Sequence, residues 1–153
     1  MNNVFRHVVQ ITIGDTNFEE TVYWLNYLKW FGQARELFML EFMKPVIPEG
    51  VRPHEFFKAI NVSIVTVKAQ MEFRRPVYFG DVVEVRIQVS DFRESRVTVI
   101  CNIVDQKTGE LVATGNQVLA FANLAGKIIR MPDAIRDLAK EYEVEPGSTE
   151  VRQ

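Results

Sequence analysis

Arg35 is the first residue whose chemistry does not match its surroundings. With residues 24–42 placed at about 100° per step, Trp24, Tyr27, Leu28, Phe31, Arg35, Phe38 and Phe42 share one helical face. All of these except Arg35 are aromatic or aliphatic. A guanidinium keeps its charge in a protein, and burying it unpaired costs on the order of several kcal/mol. Arg35 therefore snorkels past its neighbours, meets an internal carboxylate, or lines a polar cavity. Upstream, the amide of Asn17 can orient a water through its oxygen or donate its NH2 to an oxyanion. The bland alternative for Asn17 is an Asx-turn that caps a loop. Glu19 and Glu20 are carboxylates able to act as base or nucleophile, but acidic residues before a helix are more often partners of its dipole.

Other chemistries lack their parts. There is no G-x-S-x-G elbow. His7 and His54 are the only histidines, and no spacing suggests a metal. Cys101 falls in an alternating strand and reads as a packed thiol. Gly115 stands alone in a strand, so no phosphate loop is present, and nothing calls for a cofactor.

These residues depend on one long helix. Asn17 to Phe42 reads as that helix, with Thr21 as N-cap and Glu19 and Glu20 just before it. Trp30, Ala34 and Leu37 form a second apolar stripe, so the helix should be covered on more than one side. Before it, Phe5 to Ile13 is a β-branched strand that ends at Gly14-Asp15. After it, Lys44 to Gly50 is a proline-rich connector, and Arg52 to Ala59 holds one irregular turn. A period-two pattern follows. Asn61 to Phe73 puts Ser63, Val65, Val67, Ala69, Met71 and Phe73 on one face. Val82–Phe92, Arg96–Asp105 and Leu111–Asn123 are the next strands, and Pro132–Tyr142 a short terminal helix. Sequential strands usually pair. The expectation is an α+β domain over residues 1–142, five antiparallel strands wrapped round one helix, with 143–153 as a flexible tail. This architecture is the hotdog fold.

Composition agrees with one domain. The chain has 153 residues, 47% of them hydrophobic, with eleven Phe, two Trp and four Tyr. A net charge of −2 makes no electrostatic case for nucleic acid. The single cysteine fits a reducing cytosol. No apolar run nears the ~20 residues of a membrane span, and the N-terminus does not read as a signal peptide. A cytoplasmic location is expected.

Specific residues carry a resemblance. Gly14-Asp15-Thr16-Asn17, Val22-Tyr23, Asn26-Tyr27 and Ala34-Arg35 resemble the 4-hydroxybenzoyl-CoA thioesterase branch of the hotdog superfamily. Pro76, Gly80-Asp81 and Ala113-Thr114-Gly115 match its pattern too, over roughly residues 5 to 137. The enediyne polyketide thioesterases are more similar still, through Asp15-Thr16-Asn17, Val22 to Trp30, Arg35, Thr66 to Ala69 and Glu72-Phe73. One departure is Glu20, where the family usually has glycine.

The resemblance implies a thioesterase that releases a polyene or β-keto chain from an acyl carrier protein of a polyketide synthase. In the wider branch an aspartate acts at the Asn17 position, and the backbone amide at the Trp24 position points at the thioester carbonyl. Water would attack directly, with Asn17 and the Trp24 N–H holding the oxyanion. Tyr27 and Arg35 would position water or acyl group, although Tyr27 can equally be core with a satisfied hydroxyl. Phe31, Phe38 and Thr66 would line the acyl site. Arg74, Arg75, Arg93, Arg96, Lys127 and Arg130 would meet CoA phosphates or an acidic carrier, unless they are ordinary solvated charges. The resemblance further implies a homodimer or homotetramer paired through the strand Asn61 to Phe73. Two alternatives stay open, a general acyl-CoA thioesterase and a non-catalytic acyl-binding module.

Overall fold

A computed structural model describes residues 3–145 of the chain. Five strands, β1 (Phe5–Gln10), β2 (Ser63–Phe73), β3 (Val82–Ser90), β4 (Arg96–Asp105) and β5 (Leu111–Ala122), form one antiparallel sheet. The long helix α1 (Trp24–Met43) lies against it, with α2 (Pro53–Ala59) and α3 (Asp133–Ala139) beside it. This is the hotdog arrangement expected. The segment called irregular at Arg52 to Ala59 is instead a short helix, which Pro53 opens at its first position.

The strand order is β1-β3-β4-β5-β2. β3, β4 and β5 form a meander, as sequential pairing predicts. β2 does not pair with β3, however, but sits at the far edge beside β5. The connection over residues 74–81 crosses under the start of α1, where Val22 N donates to Val77 O at 3.0 Å. Buried Val83, Val85, Ile87, Val89, Val97, Val99 and Ile103 alternate along β3 and β4 and meet α1. Period-two sequence thus becomes one apolar face.

β2 departs from the alternation read in its sequence. Its register with β5 shifts between Thr66 and Lys68, leaving Val67 as an extra residue. Such a bulge flips the facing of everything beyond it. Ile64 and Thr66 face inward before it; Met71 and Phe73 do so after it. Val65 and Val67 are exposed, so the single face expected from Ser63 to Phe73 is split.

α1 starts later than the sequence suggests. Tyr23 is its N-cap, with extended backbone and no side-chain cap. Thr21 forms a bridge with Tyr78 instead. Buried on α1 are Tyr27, Trp30, Phe31, Ala34, Phe38 and Met43. The covered face therefore merges the two expected stripes, while Leu37 stays exposed. At the chain's other end, Val144 N donates to Val89 O at 2.8 Å. Residues 146–153 of the expected tail lie outside the described residues.

Candidate active site

The loop before α1 is built from short-range polar contacts. The Asp15 carboxylate accepts from Thr12 N at 2.8 Å and from Thr12 Oγ1 at 3.0 Å. The Asp15 carbonyl accepts from Tyr23 N at 3.0 Å and from Asn26 Nδ2 at 2.7 Å, which ties the loop to the first turn of the helix. Asn17 sits at the exposed tip. Its Oδ1 accepts from Glu19 N at 2.9 Å and from Thr21 Oγ1 at 3.1 Å. Asn17 thus makes the Asx-turn. Both lone pairs of that oxygen are engaged, so the NH2 group, with no partner among the described residues, is the group left to act. Glu20 has φ of +65°, a left-handed conformation that glycine adopts without cost. The loop therefore keeps the glycine-like turn although the residue has changed.

Beside the loop, the first backbone amides of α1 have no helical acceptor. Tyr23 and Asn26 N–H are used, but the Trp24 N–H has no partner among the described residues. The Trp24 ring is half-exposed and meets Phe73 edge-on at 6.4 Å between centroids. Tyr27 is 5% exposed and packs on Phe73 at 5.4 Å and Trp30 at 5.6 Å. Burial raises the Tyr27 hydroxyl above the ordinary tyrosine range, and hydrogen bonding with the Val77 backbone works the other way. Tyr27 is thus both core and neighbour of the helix start. Glu19 and Glu20 are exposed.

Arg35 lies elsewhere, eleven residues and ~16 Å of helix further on. Its Nη1 donates to Thr66 Oγ1 at 3.1 Å and to Gln117 Oε1 at 2.5 Å. No carboxylate pairs with it among the described residues. Two neutral acceptors hold the cation, so its charge is not neutralised. Arg35 and Thr66 stand at the wall of a cavity of about 160 Å3. The remaining wall is apolar except for Glu36, and includes Phe38, Met39, Phe42, Ile64, Leu119 and Phe121, with Met131 and Ile135 closing it from α3 and the segment before it. Arg35 meets no internal carboxylate among the described residues, and the cavity it borders is apolar rather than the polar one expected.

The expected site residues thus fall into two groups. Trp24 and Tyr27 stand at the start of α1, with Asn17 at the tip of the loop before it. Arg35, Phe38 and Thr66 gather at the chamber. Phe31 joins neither: it is fully buried in the core and is not part of the chamber wall. Gln117 was missed in the sequence. Its signal was a glutamine in step with inward-facing Leu119 and Phe121, and it is only 7% exposed. Of the basic residues expected to meet phosphates, Arg74, Arg75, Arg93 and Arg130 pair with Glu72, Glu110, Asp91 and Asp133 respectively. They are largely self-neutralised.

With this geometry in view, comparison with known proteins defines the class. Residues 11–138 match the family model of the Thioesterase-like superfamily, and the chain belongs to that family. It is a thioester hydrolase. Among solved structures, the dynemicin thioesterase, whose crystal structures reveal induced-fit and allosteric effects upon polyene binding, is 25% identical, with a TM-score of 0.78 over 93% of this chain and 99% of that one. A 1,4-dihydroxy-2-naphthoyl-CoA thioesterase from Synechocystis is 17% identical, with a TM-score of 0.74 over 90% of this chain and 96% of that one, a likeness of fold. A protein of Aquifex aeolicus (strain VF5), classed provisionally as an esterase, is 25% identical over 138 residues, 90% of this chain and 98% of its own.

Proposed function

We propose that the protein releases a polyene or β-keto acyl chain from an acyl carrier protein by direct attack of water on the thioester. The observation that carries this reading is Arg35, a cation held by two neutral acceptors at the wall of an otherwise apolar chamber. Such a chamber suits a long apolar chain, and the cation suits an oxygen-bearing group along it. The likeness to the dynemicin thioesterase supports the same substrate class.

The chemistry is placed at the start of α1. The thioester carbonyl oxygen develops negative charge as water adds. The Trp24 N–H and the Asn17 NH2 donate to it, and fixed donors of this kind need no reorganisation during the reaction. Tyr27, beside the helix start, holds water or acyl group in line, and Arg35 holds the acyl group further along the chain. A thioester is an activated acyl group, so no covalent intermediate and no strong base are required. The edge strand β2 exposes Val65, Val67 and Phe73 along unpaired backbone groups and is the proposed seam of a homodimer or homotetramer.

The general acyl-CoA thioesterase is the second reading, supported by the Synechocystis relative's activity on a CoA thioester. Mass spectrometry of products after mixing with a loaded polyketide synthase, beside hydrolysis of model acyl-CoA, separates the two. For the catalytic residues, turnover by Asn17→Ala should fall by ~10²–10³-fold and Arg35→Ala should lower turnover of substrates long enough to reach the chamber, while Glu19→Gln and Glu20→Gln stay close to the parent. Full activity in both the Asn17 and Arg35 variants refutes the assignment.

A further inference from the structure

The chamber beside Arg35 is small for the chain assigned to it. Its volume of about 160 Å3 compares with the ~150 Å3 apolar cavity that takes one benzene. It therefore holds a segment of about six carbons. A second apolar depression of about 520 Å3 opens on the surface under α2, lined by Met39, His54, Phe57, Lys58, Val62, Ser63, Ile64 and Leu124. Met39 and Ile64 belong to both walls. These two side chains, one from α1 and one from β2, are where the two spaces adjoin.

The two partition residues differ in stiffness. Ile64 is β-branched and held near one rotamer on β2. Met39 is unbranched, with three rotatable bonds, and fills irregular gaps adaptably. It is only partly buried, so it has room to swing. The groove beyond it is apolar along Phe57, Val62 and Leu124, while His54 and Lys58 sit exposed at its rim.

We propose that Met39 is a chain-length gate: when it swings aside, the far end of a long acyl chain leaves the chamber past Ile64 and lies in the groove under α2. This deepens the proposed function and rests on its reading that the chamber takes the acyl chain. A chain whose far end stops within the chamber leaves Met39 closed, and a longer chain needs the gate. The groove's occupant is the substrate's own tail, because Met39 and Ile64 border both the groove and the chamber.

The test uses the full chain and two readouts. One is displacement of cis-parinaric acid, a fluorescent conjugated fatty acid, by saturated fatty acids of about six to about sixteen carbons. The other is hydrolysis of the acyl-CoA series of the same lengths. Met39→Trp should lower affinity and turnover for the longest chains, relative to the shortest, by roughly tenfold or more, and Met39→Ala should move the ratio the other way. Leu124→Glu lies in the groove alone and should weaken only the longest chains, which keeps the proposal testable where a Met39 variant fails to fold. A length profile that none of these variants moves overturns the gate while leaving the chamber reading intact. Length-dependent displacement without turnover of any thioester sinks the catalytic reading and leaves the gate standing. Failure of every fatty acid to displace the probe overturns both. A Leu124→Glu change in oligomeric mass with an unmoved profile assigns the groove to a second copy and overturns the gate.

Discussion

The two halves of α1 do different work with similar residues. The first half, Trp24 to Trp30, packs ring against ring with Phe73 and Tyr27, and it ends in free backbone donors beside the Asn17 loop. The second half, Arg35 to Phe42, also packs rings, Phe38 against Phe5, Phe42 and Tyr142, but it borders the chamber. Ring contacts hold the start of the first half in place, which fixed hydrogen-bond donors need. The chamber makes the second half receptive. The difference shows that an aromatic stripe says where a helix is buried, but not whether its neighbours close up against it.

The sharpest way to break this comparison is at Trp24. Proline there should fit, because the first helical position tolerates it and Tyr23 at ψ of 130° is already extended as a residue before proline must be. Trp24→Pro deletes only one N–H beyond what Trp24→Ala deletes. Turnover by the proline variant should fall ~10²–10³-fold below that of the alanine variant, with fatty-acid binding in the second half retained. Equal turnover in the two would remove the amide from the mechanism.

A second test acts where β2 meets β5 between the halves. A Cβ on Gly115 would lie 2.4 Å from the Gln70 backbone oxygen. Gly115→Ala should therefore cost about 2–3 kcal/mol by overpacking, read as a lower urea midpoint. An unchanged midpoint would mean that the two strands are free to separate there.

Smaller effects come from pH. Burial raises the Tyr27 pKa in the folded state. The folded protein then holds that proton above pH ~10, where the unfolded chain releases it. Its contribution is whole below that value and is lost as pH rises through the folded pKa. Tyr27→Phe should flatten this alkaline loss in urea midpoints taken on either side of pH ~10. A slope identical to the parent's would show that the hydroxyl is solvated.

The smallest change is expected at Glu20. Glu20→Gly relieves a left-handed residue but frees the unfolded chain, for a net gain of about 0.5 kcal/mol. Turnover should hold within about twofold, since the turn is already glycine-like. A large change in turnover would make the Glu20 carboxylate part of the chemistry.

Much of this molecule was legible from local pattern. The long helix, the period-two strands, the terminal helix and the Asn17 turn all express relations within a few residues, so one sequence carries them. The arginine out of place on α1 marked an unusual position, but the sequence left open whether it snorkelled, paired or lined a polar cavity. Three decisions belonged to the tertiary structure alone. Val67 bulges out of β2 and flips the facing of half a strand, because register depends on a partner and one added residue reverses it. Gln117 reaches Arg35 from 82 residues away, a distance over which periodicity carries no information. The chamber exists because α1, four strands and α3 meet there without closing, and its volume is a property of their spacing, which the sequence of no single element contains.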